Sequence, residues 1–323
     1  MRTRRFGKTD WQVSDIGYGA WQIGGNMWGA VSDADAEKAL EAALDSGITF
    51  FDTALAYGEG HSEQVLGRVL KRTKRRDHVR VATKIPPMDR QWPASPRSPL
   101  RDVFPAKWIQ QCTAKSIKNL GFEPDLQQLH VWTDSWADDN EWYDTLQELK
   151  QRENFRAFGV SVNDHEPESA VGVTRAGRID SLQVIYNIFD QSPEKELFSA
   201  ALDNDVGIIV RVPLDEGSLA GKLTLETKFE RGDFRAEYFG GDHLKQAVEH
   251  VEKLRPVIEK DGQTMAEGAL RFCLTNPAVA TVIVGSTKPD HVRANADVSD
   301  KGALDLGTMS ALRSHVWQRN FYP

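Results

Sequence analysis

Short apolar, β-rich runs recur along this chain with longer stretches of helical period between them, and no other feature restricts the possible folds so strongly. The pattern predicts parallel strands joined by crossover helices, because a strand buried on both faces is apolar throughout while the helix covering it is apolar on one side. Strands are expected around Ile16–Tyr18, Ile48–Phe51, Val79–Ala82, Leu126–Leu129, Ala157–Val160, Ser181–Ile185, Gly207–Val210 and Thr281–Val284. Helices are expected over Asp33–Ser46, Ser62–Lys71, Pro105–Leu120, Glu141–Arg152, Pro193–Asn204, His243–Lys260 and Pro289–Ala296, several opened by a Ser, Asp or Pro suited to a first turn. Eight β/α units suggest a closed α/β (β/α)8 TIM barrel, and 323 residues suit a single barrel domain over 1–323.

Three segments break the regular beat. Arg5–Ser14 carries a Gly-Lys-Thr-Asp turn and reads as a β-hairpin ahead of the barrel. Pro86–Pro105, rich in Pro, Ser and Arg, and Asp215–Asp242, without a clear period, read as long βα loops.

Composition excludes several classes of function. Apolar residues make up 40% and charged residues 27%, and no run approaches the ~20 apolar residues of a membrane span. The basic start Met1–Arg5 is followed by Phe6-Gly-Lys-Thr-Asp10 where a secretory signal needs an apolar run, so a cytoplasmic location is expected. Cys112 and Cys273 lie far apart in helix-like stretches and offer neither a disulfide framework nor a zinc pattern; no metal site is expected. A net charge of −7 opposes the broad basic footprint of a nucleic-acid binder, and Lys71–Arg76 reads as a solvated helix end.

In a barrel of this kind the chemistry sits where the strands deliver their last residues into the βα loops. Asp52, Lys84, His130, Ser161 and Arg211 each follow an apolar run and so converge on one rim. Each alone has a plain structural use, as a cap, a rim cation or an ion-pair partner. Together with the hydroxyl of Tyr57 they are harder to explain that way, because a buried Asp–Lys pair is costly to assemble without a function.

The segment Asp52-Thr-Ala-Leu-Ala-Tyr-Gly-Glu-Gly-His-Ser-Glu63, followed by Leu66-Gly67, resembles the signature of the aldo-keto reductase superfamily. The resemblance extends to Gly7-Lys-Thr9, Val13-Ser14, Ile16-Gly-Tyr-Gly19, Thr83-Lys84, Asp125-Leu126 with His130, Gly159-Val-Ser161, Gln183 with Tyr186-Asn187, and Ile283-Val-Gly-Ser286, over more than nine-tenths of the chain. It implies an oxidoreductase that moves hydride between NADP(H) and an aldehyde, ketone or alcohol, with a tetrad of Asp52, Tyr57, Lys84 and His130. Tyr57 would be the general acid in reduction and base in oxidation, Lys84 its charge partner, Asp52 the anchor of that lysine, and His130 the group orienting the carbonyl.

The same resemblance implies cofactor contacts. Ser161 and Gln183 would hold the nicotinamide carboxamide; the expected Asn beside Ser161 is Val162, leaving Asn163 as a substitute one place on. Arg211, where relatives often carry an aromatic residue, would stack its guanidinium plane on the ring. Gly19, Ala20 and Trp21 would line the cleft, Pro213, Leu214, Gly217, Ser218 and Lys222 would meet the pyrophosphate, and Gly285, Ser286, Thr287 and Lys288 would form a phosphate loop before a short helix carrying His291 and Asn295. His291 stands where many relatives place a basic residue for the adenosine 2′-phosphate, which leaves NAD(H) open as an alternative. No Gly-x-Gly-x-x-Gly fingerprint follows the first strand, consistent with a barrel-rim cofactor. Trp21, Trp28 and Trp132 would wall an apolar pocket for a small-molecule carbonyl.

Two rival readings remain at this level: a cofactor-binding regulatory module resembling potassium-channel β subunits, and an aldolase-like barrel in which Lys84 forms a Schiff base. Neither the substrate nor the oligomeric state is encoded in any motif of the chain.

Overall fold

In the computed structural model, which describes residues 1–25, 27–29 and 31–322, the N-terminal turn joins a hairpin of β1 (Thr3–Phe6) and β2 (Trp11–Ser14). All eight expected runs become strands: β3 (Ile16–Gly19), β4 (Phe50–Asp52), β5 (Arg80–Ile85), β6 (Leu126–Leu129), β7 (Ala157–Ser161), β8 (Ser181–Ile185), β9 (Gly207–Arg211) and β10 (Val279–Val284). They pair in parallel in chain order, and β10 closes the barrel against β3. Every residue of β10, Val-Ala-Thr-Val-Ile-Val, is buried, the pattern of a strand with the barrel interior on one face and helices on the other.

The helices are α1 (Asp33–Asp45), α2 (His61–Thr73), α3 (Leu100–Val103), α4 (Ala106–Leu120), α5 (Asn140–Gln151) and α6 (Val171–Arg175), then α7 (Leu197–Asp203), α8 (Arg235–Tyr238), α9 (His243–Ile258), α10 (Met265–Thr275), α11 (Pro289–Asp297) and α12 (Leu306–Arg313). Caps start several of them where the sequence offers one. Ser32 and Asp139 accept the backbone N–H groups of Asp35 and Glu141, and Thr264 accepts that of Glu267. The single helix expected over Pro193–Asn204 is instead a 3₁₀ turn, Ser192–Glu194, followed by α7. The Glu194 carboxylate accepts from Tyr186 Oη and Arg313, and these tertiary contacts hold the first turn away from the α7 axis. The two expected long loops carry only short helical pieces, α3 in the first and a 3₁₀ segment, Asp215–Ala220, with α8 in the second.

The hairpin plugs one end of the barrel. Phe6 stacks on Phe50 with ring centroids 5.4 Å apart and joins Val13, Ala82, Leu126, Ala157, Ile209 and Ile283 in a core separate from the one beneath the helices. Gly7 permits the approach: its φ is +50°, and a Cβ there would lie 2.5 Å from the Asp205 carbonyl oxygen. The C-terminal ends of the strands form the mouth at the opposite end of the barrel. No helix among the described residues is long and apolar enough to cross a membrane.

Candidate active site

The signature that follows β4 has a physical reason at almost every position. Thr53 Oγ1 donates to Ser62 Oγ, which donates to the Ala20 carbonyl, and Thr83 Oγ1 donates to Glu63 Oε1 at 2.6 Å. Ser62 and Glu63 thus tie the first turn of α2 to the neighbours of Asp52 and Lys84. Between them the chain turns sharply through Tyr57–Gly60, with Gly58 at φ +61°. A Cβ on Gly58 would lie 2.3 Å from the Gly24 carbonyl oxygen, so the residue after Tyr57 must be glycine for the two loops to pack.

This packing brings the four expected residues together at the open mouth. Lys84 Nζ donates to Asp52 Oδ2 at 2.6 Å, to the Thr53 carbonyl at 2.8 Å and to Tyr57 Oη at 3.3 Å, and the Tyr57 and His130 rings meet edge-on at 5.7 Å. Asp52 and Lys84 are fully buried. Burial alone lowers the Lys84 pKa, but Asp52 and Tyr57 outweigh it and the ammonium sits above the usual lysine range. A nitrogen that stays protonated, with three donor directions engaged, is a poor nucleophile, which argues against a Schiff-base lysine. Burial raises the Tyr57 phenol, while the positive charge of Lys84 draws it back down, with a smaller pull from Arg211. Burial, then the charges of Lys84 and Arg211, push His130 well below its usual value, leaving a neutral imidazole at neutral pH. A neutral imidazole can donate a hydrogen bond to a carbonyl oxygen; it is not an acid there.

Beside the four lies a set of polar groups facing the same mouth. Gln183 Nε2 donates to Asp52 Oδ1 at 2.9 Å, while Gln183 Oε1 is buried with no donor among the described residues. Ser161, on the neighbouring strand, is in register with Gln183. Arg211 Nη2 donates to Asp164 at 2.6 Å and to the Val162 carbonyl at 2.9 Å, so its guanidinium is fixed in an ion pair at the rim. Asn163 departs from expectation. Its Oδ1 accepts from Ala94 N and its Nδ2 donates to the Ala94 carbonyl and to Glu166, all at 3.0 Å. The amide is engaged in pinning the loop after β5, which corrects its assignment as a substitute cofactor ligand.

Strained backbone marks the loop after β9. Val212, Asp215 and Glu216 all have positive φ, 55°, 48° and 52°, next to Gly217 at 101°. Non-glycine residues held this way, a β-branched Val above all, concentrate where a loop is shaped for a ligand. Pro213 and Leu214 lie inside this stretch, and Ser218 Oγ donates to Asp215 at 2.6 Å. The C-terminal tail fastens the loop: Arg319 pairs with Asp215, and Tyr322 Oη donates to Glu216, whose carboxyl burial pushes up to about 7. At the other side of the mouth, Gly19 and Gly285 abut, and Tyr18 Oη donates to the Ser286 carbonyl at 2.7 Å. Thr287, Lys288 and Asn295 follow at the start and along α11. Partial burial and the positive charges of Lys222 and Lys288 lower the His291 pKa, against the opposing charge of Asp290.

Trp21 and Trp28 stand at the mouth as expected. Trp21 lies 6.2 Å from the Tyr57 ring and 4.8 Å from Phe234, and Trp28 is edge-on to Trp21 at 5.6 Å. Trp132 does not. It is fully buried, edge-on to Trp136 and Trp142, with its indole N–H on Asp134, and belongs to the core under the helices. Two other aromatics, Trp92 and Phe234, stand at the mouth. Trp92, 42% exposed, meets the His130 ring at 4.6 Å, and Phe234 is brought in by a bridge between Trp28 and Asp233. Both sit in aperiodic loops, where the sole sequence signal is a large aromatic among polar neighbours. No group of three or more His, Cys, Asp or Glu among the described residues is arranged to hold a metal.

Comparison with known proteins follows the same lines. The Aldo/keto reductase family model matches residues 15–316. An aldo-keto reductase of Bacillus subtilis is 30% identical over 292 residues, covering 89% of this chain and 86% of the relative. An NADH-specific methylglyoxal reductase of Escherichia coli is 27% identical, covering 91% and 92% of the two chains. Among solved structures, a glycerol dehydrogenase from Gluconobacter oxydans superposes with a TM-score of 0.78 at 28% identity, over 97% of this chain and 94% of its own. Barrel, plugged base, strand-end cluster and sequence match therefore agree, and the chain belongs to the aldo/keto reductase family of oxidoreductases.

Proposed function

We propose that this protein is an NADP(H)-dependent reductase of aldehydes or ketones, reversible toward the alcohol, with Tyr57 as the group that gives and takes the proton. The observation that carries this reading is the contact of Tyr57 Oη with a buried, charged Lys84 that Asp52 holds in place. A bound nicotinamide supplies or accepts the hydride. The residues supply everything else. In reduction Tyr57 donates its proton to the carbonyl oxygen, and the Lys84 ammonium stabilises the phenolate left behind. Neutral His130 donates a hydrogen bond to the same oxygen and fixes its direction. Asp52 keeps the ammonium charged and aimed, and in oxidation the steps reverse.

Two features suit this cofactor. The buried, unpaired Gln183 Oε1 can accept from a carboxamide, with Ser161 alongside. Lys222 and Lys288 lie close enough to His291, in the first turn of α11, to lower its pKa, and this pair of cations at the helix N-terminus suits an adenosine 2′-phosphate and favours NADP(H) over NAD(H). Trp21, Trp28, Trp92 and Phe234 suit an uncharged, apolar carbonyl compound. Titration of nicotinamide fluorescence tests the assignment: NADPH is expected to bind about tenfold or more tightly than NADH, and Lys288→Ala to narrow that gap, since a charged hydrogen bond is worth about 1.5–3 kcal/mol. Equal affinity for both would remove the 2′-phosphate assignment, and binding of neither would remove the function.

A further inference from the structure

The loop after β9 holds one residue in a conformation that its own chemistry opposes. Among the described non-glycine residues with positive φ, Val212, at 55°, is the one with a β-branched side chain. A Cβ crowds that conformation and a branched Cβ crowds it further, while the following Pro213 pushes the residue before it toward extended backbone with negative φ. Something outside the residue therefore has to hold it. Its carbonyl oxygen accepts from Asp215 N at 3.1 Å, which closes the turn Val212-Pro-Leu-Asp215, and from Asn187 Nδ2 at 3.0 Å, which reaches across from the loop after β8. Asp215 belongs to the same turn and moves with it. The tail residues Arg319 and Tyr322 grip the loop further on, at Asp215 and Glu216. The bond from Asn187 is thus the one that ties the Val212 peptide to a neighbouring strand end.

Asn187 is wholly buried, and its partners fix which way its amide faces. Oδ1 accepts from the backbone N–H groups of Phe189 and Asp190, both at 2.9 Å, so Nδ2 is left to donate toward β9. The oxygen locks its own loop and the nitrogen locks the next. A buried Asn that served its own turn alone would need only the first of these. Val212 is also where a change of φ has leverage: Arg211 precedes it at the rim, and Pro213 and Leu214 lead on into the positive-φ stretch Asp215–Gly217, so reversing φ at Val212 would swing that stretch away from its place beside Arg211. We propose that Asn187 is a positioning residue for cofactor binding: its bond to the Val212 carbonyl keeps Val212 left-handed and so keeps the loop after β9 shaped over the mouth. Asn187 acts through Val212, not by touching the ligand. This inference rests on the reading of that mouth as a nicotinamide-cofactor site.

The test compares the wild type with Asn187→Ser. A serine hydroxyl accepts from the backbone N–H groups that follow it much as the Asn oxygen does, so the turn at Phe189 and Asp190 is kept, but it is too short to reach Val212. Titration of NADPH fluorescence is expected to show about tenfold weaker binding in N187S, the size of the strain of one backbone residue that is no longer held. Rescue separates this role from a purely structural one. Glycine takes a positive φ without help, so on a Val212→Gly background the same Asn187→Ser substitution is expected to weaken binding by less than about threefold. Undiminished affinity in a folded N187S, or an equal loss on both backgrounds, would overturn the assignment. A crystal structure of cofactor-free N187S reads the hold without any ligand: Val212 is expected at negative φ, and a φ still near 55° would also overturn it. A wild type that binds neither NADPH nor NADH would count against the proposed function, while the Val212 φ in N187S still decides whether Asn187 holds this loop.

Discussion

Tyr57→Phe is expected to lower kcat by about 10²–10⁴, the range for loss of a positioned general acid, while leaving the fold intact. The hydroxyl makes one contact, to Lys84 Nζ at 3.3 Å, and the ring keeps its packing beside Trp21 and His130 when the oxygen is removed. The pH dependence should change with it. Reduction needs the protonated phenol, so the wild-type rate holds through neutral pH and falls as pH passes the Tyr57 pKa; oxidation needs the phenolate and rises over the same window. Burial raises that pKa against the pull of Lys84 and Arg211, so both limbs belong on the alkaline side. His130 is pushed well below its usual value and adds no limb between neutrality and the ordinary histidine pKa. In Tyr57→Phe both alkaline limbs should vanish. Steady-state kinetics across pH with circular dichroism as the folding control checks all of this, and wild-type turnover in the variant would remove Tyr57 from the chemistry.

Lys84→Met is expected to cost both activity and stability. Loss of the ammonium removes the charge that stabilises the phenolate, a deficit of about 10²–10³ in kcat by analogy with deletion of one oriented donor at a developing anion. It also leaves Asp52 buried opposite an apolar side chain, and breaking a buried pair in this way destabilises by about 3–5 kcal/mol. The second effect separates from the first in the double variant Lys84→Met/Asp52→Asn. Removing the orphaned charge should restore much of the stability, measured by denaturant unfolding, and none of the activity. Equal destabilisation in the single and double variants would mean that Asp52 is not an uncompensated charge in the first.

The strands were readable in the sequence because burial on both faces makes them continuous apolar runs, and the strand ends located Asp52, Lys84 and His130 without any contact information. The signature after β4 was readable because each residue has a fixed mechanical part, from the Gly58 approach to the Ser62 and Glu63 anchors. What failed depends on tertiary partners. The break ahead of α7 is set by Tyr186 and Arg313 gripping Glu194 from distant parts of the chain. Trp132 shares the parity of His130, but β6 ends at Leu129, and beyond a strand end parity no longer dictates direction. Asn163 has the right residue type near the right place, and its partner is the backbone of Ala94, sixty-nine positions away. Trp92 and Phe234 lie in loops with no period to read, and only the closing of those loops over the mouth gives them a place in the wall.

The account depends most on the claim that this mouth transfers hydride to a carbonyl carbon while Tyr57 protonates its oxygen. The direct measurement is turnover of an apolar aldehyde with NADPH carrying deuterium at nicotinamide C4, with mass spectrometry of the alcohol formed. One deuterium on the carbinol carbon of the wild-type product, and a rate reduced by orders of magnitude in Tyr57→Phe, is the expected result. Alcohol formed without the label, or labelled at an undiminished rate by Tyr57→Phe, would contradict it.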